Sequence, residues 1–124
     1  MENLRLEVTK YTPEINLDTE GVISLVGKSY PENTFEFYEP MMEWIEEYFK
    51  TSAKEVTVVN MEIIYFNSSS SKLFFDFFDL LEANAEEHTI EINWIYDEEN
   101  ESAEEAGEDF IEDFEDLNIK LVQK

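Results

Sequence analysis

Residues Ile63 to Phe75 run Ile-Ile-Tyr-Phe-Asn-Ser-Ser-Ser-Ser-Lys-Leu-Phe-Phe, and no other stretch of the chain restricts its fold so sharply. An apolar segment rich in β-branched and aromatic residues stops at Phe66. Four hydroxyls follow, and from Leu73 the apolar residues recur at helical spacing. This pattern predicts a buried strand that turns directly into an amphipathic helix, with the serines at the helix N-terminus. Backbone N–H groups there have no partner, and the helix dipole is positive. Such a position suits a helix cap. It equally suits a site where a phosphate is added, recognised and removed.

The rest of the chain arranges itself around this junction. Leu4, Leu6 and Val8 alternate with polar residues and suggest a short strand. Ile15 and Leu17, the turn Asp18-Thr19-Glu20-Gly21 and Val22 to Val26 read as a hairpin. Asn33 and Glu36 form a capping pair for a first helix, with Phe35, Tyr38, Met41, Met42, Ile45, Tyr48 and Phe49 as its apolar stripe. Pro40 lies inside that stripe, so the helix should kink or begin afresh there. Val56 to Phe66 is expected to be a central strand covered on both faces, with Asn60 and Glu62 leaving part of one face open. The second helix should run from about Ser69 to Glu86 on Leu73, Phe74, Phe77, Phe78, Leu81 and Ala85. Ile90 to Tyr96 alternates as a strand. Ser102 with Glu105 would cap a third helix that buries Ala103, Ala106, Phe110, Phe114 and Leu117, and Ile119 to Val122 would be the last strand. Strand–helix alternation after Asn33 implies parallel neighbours joined by right-handed crossovers. The expectation is one α/β domain over residues 1–124, a mixed sheet with an N-terminal hairpin and about three packed helices.

Charge limits the partners. The formal net charge is −23, Leu73 to Ile119 contains no Lys or Arg, and Asp97 to Asp116 carries twelve carboxylates. Phosphate backbones and anionic membranes would be repelled, so neither nucleic acid nor a membrane is expected as a direct partner. The carboxylates serve as a solvated face or as a field that steers a basic protein. With no cysteine there is no disulfide framework or zinc ribbon, which fits a reducing cytoplasm. The first residues lack the pattern of a signal peptide, and no apolar run reaches the roughly 18 residues of a membrane span.

Candidate chemistry narrows to the serines. One capping side chain explains one of the four hydroxyls, at about 1 kcal/mol. A serine nucleophile would need a base, and the only histidine, His88, follows the second helix and belongs at the opposite end of the sheet. No Gly-x-Ser-x-Gly elbow is present. Asp97 to Glu101 has the composition of a calcium loop without its glycine or its spacing. No catalytic residue, metal ligand or cofactor site is therefore expected. Phe74, Phe77 and Phe78 suit a core, whereas Phe75 should point away from it and be available to a partner.

Several segments together resemble the SiaC family of bacterial regulatory phosphoproteins. They are Thr9-Lys10-Tyr11-Thr12-Pro13-Glu14, Gly27-Lys28-Ser29-Tyr30-Pro31-Glu32-Asn33, Tyr65-Phe66-Asn67-Ser68-Ser69-Ser70-Ser71-Lys72, Asn93-Trp94-Ile95-Tyr96-Asp97 and Gly107-Glu108-Asp109-Phe110. The resemblance implies a STAS-like fold and a switch, not an enzyme. In such a switch a partner kinase phosphorylates a hydroxyl at the strand–helix junction, and a PPM-type phosphatase removes the phosphate. The unmodified form binds and activates an output protein, in the family a diguanylate cyclase. The family's acceptor is a threonine directly after the asparagine, which falls on Ser68 here, with Ser69 as the alternative. Asn67, Ser68, Ser69, Ser70, Lys72 and Phe75 are then the expected partner-binding residues. The competing reading is a constitutive acidic binding module that occupies a basic protein.

Overall fold

A hairpin followed by three strand–helix–strand crossovers builds a six-stranded sheet with its strands in sequence order. The computed structural model describes all residues, Met1–Lys124. The strands are β1 (Leu4–Leu6), β2 (Glu14–Asp18), β3 (Val22–Ser29), β4 (Val56–Phe66), β5 (Thr89–Tyr96) and β6 (Asn118–Gln123). The helices are α1 (Thr34–Glu47), which runs on into a π-helical turn at Tyr48–Ser52, α2 (Ser68–Asn84) and α3 (Glu101–Asp113). β1, β2 and β3 pair antiparallel, and β3 to β6 pair parallel.

The β2–β3 turn closes with the Gly21 N–H donating to the Asp18 carbonyl at 2.9 Å. Gly21 has φ +97°, and a Cβ there would lie 2.9 Å from the Val56 carbonyl oxygen, so both backbone angle and space call for glycine.

Because successive parallel strands lie side by side, each right-handed crossover sets its helix on the same side of the sheet. The core therefore lies between one sheet face and the three helices. This corrects the expectation for β4. The strand alternates, with Thr57, Val59, Met61 and Ile63 buried beneath the helices and Val58, Asn60 and Glu62 half-buried on the open face. On that open face the Asn93 side-chain amide donates to Asn60 Oδ1 at 2.9 Å.

Three helix details also differ from the sequence expectation. α1 does not begin afresh at Pro40, which lies exposed within a single helix. Phe35 is exposed, and Thr34 and Trp44 join the buried stripe in its place. α3 is capped by Asn100, whose side-chain oxygen accepts from the Ala103 N–H at 3.1 Å, while Ser102 is exposed on the first turn. Asn100 prevails because its amide also donates to the Ile64 carbonyl at 3.0 Å, which ties the cap to the end of β4.

Phe66, Phe74, Phe78, Trp94 and Phe110 meet in edge and tilted contacts under α2 and α3. Each buried ring of this kind contributes about 1.5–3 kcal/mol. Together they hold the start of α2 against the ends of β4 and β5.

Candidate functional site

Asn67 ends β4 and caps α2. Its side-chain oxygen accepts from the Ser70 N–H at 2.9 Å, and its own N–H donates to the Ser29 carbonyl at 3.1 Å. The residue thus joins the ends of β3 and β4 to the first turn of α2. Ser68 and Ser69 follow as the first two helical residues, both exposed. Their N–H groups belong to the turn that has no intrahelical partner, so an anion on either hydroxyl would meet the positive end of the dipole.

The third serine has a different role. Ser70 is fully buried. Its Oγ lies 2.7 Å from Ser29 Oγ, which lies 2.6 Å from the Tyr38 hydroxyl. These three hydroxyls form a continuous chain, with Ser29 in the middle, between β3, α1 and α2. Burial raises the Tyr38 phenol far above its ordinary pKa, and the Ser29 hydrogen bond offsets only part of that rise. Ser70 is accordingly corrected from a partner-facing residue to an internal brace, because a side chain with no exposed surface cannot meet a partner. Ser71 is half-buried on the next position.

Lys72 and Phe75 are both exposed. The Lys72 ammonium lies 6.0 Å from the centre of the Phe35 ring, at the neighbouring N-terminus of α1. Phe75 is 42% exposed and meets Phe114 in a tilted contact, with 4.8 Å between the ring centres. Its position puts it farther down α2 than the serines. The outward side of the junction is therefore formed by Asn67, Ser68, Ser69 and Lys72, with Phe35 beside it and Phe75 below.

His88 lies at the other end of the molecule, past the C-terminus of α2, with its ring 5.2 Å from Phe49. A 17-residue helix is about 25 Å long, so no serine–histidine pair forms. Asp97 to Glu101 makes a turn in which the Glu99 N–H donates to Asp97 Oδ1 at 2.9 Å, and leads into the α3 cap. No three His, Asp or Glu side chains converge on a point that would hold a metal. Nearly all α3 carboxylates face solvent. Glu104 alone is half-buried, 3.4 Å from the Tyr96 hydroxyl.

Three tyrosines that the motifs for chemistry did not single out also meet beside the junction. Tyr11, Tyr30 and Tyr65 form consecutive edge-to-face contacts at 5.3 and 5.6 Å beside the ends of β3 and β4. The signal in the sequence is the place of Tyr30 in the Gly27–Asn33 loop and of Tyr65 just before Asn67; Tyr11 lies far from both along the chain. Their mutual contact depends on the β1–β2 loop folding back, with the Tyr30 N–H donating to the Tyr11 carbonyl at 2.8 Å.

Comparison with known proteins finds matches over nearly the whole chain. The family model described as SiaC family regulatory phosphoprotein matches residues 6–124. An uncharacterised protein of Pseudomonas aeruginosa (strain UCBPP-PA14) is 34% identical over 115 residues, covering 91% of this chain and 90% of its own. SiaC of Pseudomonas aeruginosa superposes with a TM-score of 0.90 at 28% identity, covering both chains completely. A crystal structure of the diguanylate cyclase SiaD in complex with its activator SiaC, from the same organism, matches with a TM-score of 0.90 at 30% identity. It covers 98% of this chain and 99% of the matched one.

Proposed function

The chain belongs to the SiaC family of regulatory phosphoproteins, and from that premise we propose that it is a phosphorylation-controlled protein-interaction switch with Ser68 as its acceptor. The observation that carries this reading is the exposed Ser68 hydroxyl at the first position of α2, directly after the capping Asn67. Ser69 is the alternative acceptor, on the same exposed turn. In the unmodified state the junction docks an output protein. A diguanylate cyclase is the favoured partner, by analogy with the complex of SiaD and SiaC. A protein kinase adds the phosphate and a PPM-type phosphatase removes it, in the cytoplasm.

Charge and hydration give the mechanism. Phosphorylation adds about −1.5 to −2 charges at pH 7. The helix N-terminus favours such a group by about 0.3–1 kcal/mol at an exposed site, and Lys72, one turn along α2, favours it further. The fold therefore tolerates the modification. A partner packed on Ser68 does not, because it would bury a bulky, hydrated dianion without paired charge.

The test is to phosphorylate the protein with its cognate kinase, locate the phosphate by mass spectrometry and titrate the diguanylate cyclase with both forms. The unmodified form should bind and the modified form should bind far more weakly. Ser68→Ala should remain folded, lose at most about 1 kcal/mol and bind constitutively. Ser68→Asp should mimic the phosphate only in part, since it has less charge and fewer acceptor oxygens. Equal affinity of both forms would sink the switch and leave the constitutive acidic module, which the exposed α3 carboxylates would then explain.

A further inference from the structure

We infer that the output partner seats an apolar anchor on the tyrosine ladder Tyr11–Tyr30–Tyr65, with its own acceptor groups facing Lys10 and Lys28. This inference rests on the switch reading and identifies the surface through which that switch acts. The ladder borders the junction, because Tyr30 directly follows Ser29, whose carbonyl accepts from Asn67.

The ladder stands out from the rest of the surface. Tyr11 is 51% exposed and Tyr65 54%, and Val8, on the same loop as Tyr11, is more than half exposed as well; the exposed Ile64 lines the cavity on the α3 side with Asp97 and Asn100. Val8 is placed there by its approach to Gly27, and Gly27 has φ +134° with the Pro13 backbone only 3.2 Å from where a Cβ would lie. The loop from Val8 to Pro13 is thereby pressed onto the end of β3. Ile64 is the extra residue of a β-bulge, since Gly27 pairs with Ile63 and Lys28 with Tyr65. The bulge shifts the alternation, so that Phe66 enters the core and Tyr65 faces outward beside Lys28. Bulge and loop together gather apolar side chains where a sheet end would ordinarily be polar.

Charge selects the occupant. The Lys10 ammonium lies 5.7 Å from the centre of the Tyr11 ring, and Lys28 is the cross-strand neighbour of Tyr65. Neither lysine is in an ion pair, although the chain carries 31 carboxylates; the ion pairs are Arg5–Glu14 and Lys124–Glu62. At physiological salt the Debye length is about 8 Å, so these two unpaired cations act at close range on an acceptor group seated on the ladder, while the acidic turn that Asn100 ties to the Ile64 carbonyl bounds the surface on its α3 side. Tyrosines offer large, stiff apolar area with a hydroxyl at the edge, which is the character of an interface hot spot. A segment with an aliphatic or aromatic side chain flanked by carboxylates or free carbonyls fits this surface. A phosphate on Ser68, three residues beyond Tyr65, would oppose the same acceptor groups. That links the modification to loss of the partner.

The experiment titrates the cognate diguanylate cyclase with the full unmodified chain and with Tyr11→Ala, Tyr65→Ala, the pair Lys10→Glu with Lys28→Glu, and the distant control Lys54→Glu. Hydrogen exchange of the wild-type complex provides a measurement that needs no variant. Each tyrosine variant should weaken binding by at least roughly tenfold, the double charge reversal should weaken it several-fold, and Lys54→Glu should leave it unchanged. Amides of residues 10–12, 28–30 and 64–66 should gain protection in the complex. Wild-type binding with both tyrosine variants within about twofold of it, or with no added protection in those segments, overturns this surface and leaves the switch standing. A wild-type chain that binds no cyclase in either form overturns the switch and this surface with it.

Discussion

Ser68 and Ser70 are two residues apart and chemically identical, yet the fold gives them opposite environments. Ser68 is exposed beside the positive end of α2, whereas Ser70 is sealed into the hydroxyl chain with Ser29 and Tyr38. Substitutions should separate the two. Ser70→Ala removes a buried partner of Ser29 and should destabilise the protein by about 1–3 kcal/mol. Ser70→Asp buries a carboxylate without a counter-charge and should destabilise it by about 3–5 kcal/mol. Urea denaturation of these variants beside Ser68→Ala and Ser68→Asp tests the contrast, and equal losses at both positions would refute it. By the same argument, a kinase acting on the folded protein should leave Ser70 unmodified, which peptide mapping of the phosphorylated chain would check. The sequence alone could not make this distinction. Four consecutive serines present the same side chain at successive helical angles, and only the position of Ser29 and Tyr38 determines which one turns inward.

At the scale of elements, α3 offers two predictions. A Cβ on Gly107 would lie 2.5 Å from Trp94 Cδ1 and 2.6 Å from Leu121 Cδ2. Helix propensity alone says that Gly107→Ala should stabilise by about 0.5–1 kcal/mol. Overpacking against Trp94, whose indole N–H is already committed to the Ala103 carbonyl at 2.8 Å, should reverse that sign and cost about 1–3 kcal/mol. A rise in thermal midpoint for Gly107→Ala would show that the helix can move away. The cap can be tested in the same way. Asn100→Ala should cost about 1 kcal/mol or somewhat more, because it loses the Ile64 bond as well as the cap, and Ser102→Ala should stay within about 0.5 kcal/mol. The capping-box spacing at Ser102 and Glu105 pointed to the wrong residue. The tertiary bond to β4, which no local pattern contains, favours Asn100 instead.

Across the whole molecule, a charge of −23 opposes compaction, because few of the carboxylates have a cation in reach. Raising salt from about 0.02 M to about 0.5 M shortens the range of that repulsion and should raise the urea midpoint. An unchanged or falling midpoint would mean that self-repulsion is not a significant term in this fold. The outer surface of the helices and the layer beneath them differ in their tolerance of substitution. Exposed carboxylates on α3 are individually dispensable, whereas the aromatic layer beneath the helices is not.

What the sequence determined is the order of elements and the chemistry at the β4–α2 junction. The apolar run ending at Phe66, the asparagine, the hydroxyls and the helical stripe from Leu73 admit few local structures, because backbone hydrogen bonding and hydrophobic periodicity act over short range. The parallel sheet, the N-terminal hairpin and the outward Phe75 were legible for the same reason. What only the tertiary structure decided are relations between residues far apart in the chain. All the helices lie on one face, so β4 is covered on one side. Ser29 and Tyr38 take Ser70 into the interior. The bulge at Ile64 and the returning loop at Pro13 bring Tyr11, Tyr30 and Tyr65 together. Each of these follows from strand register and crossover handedness, which no short window of sequence contains.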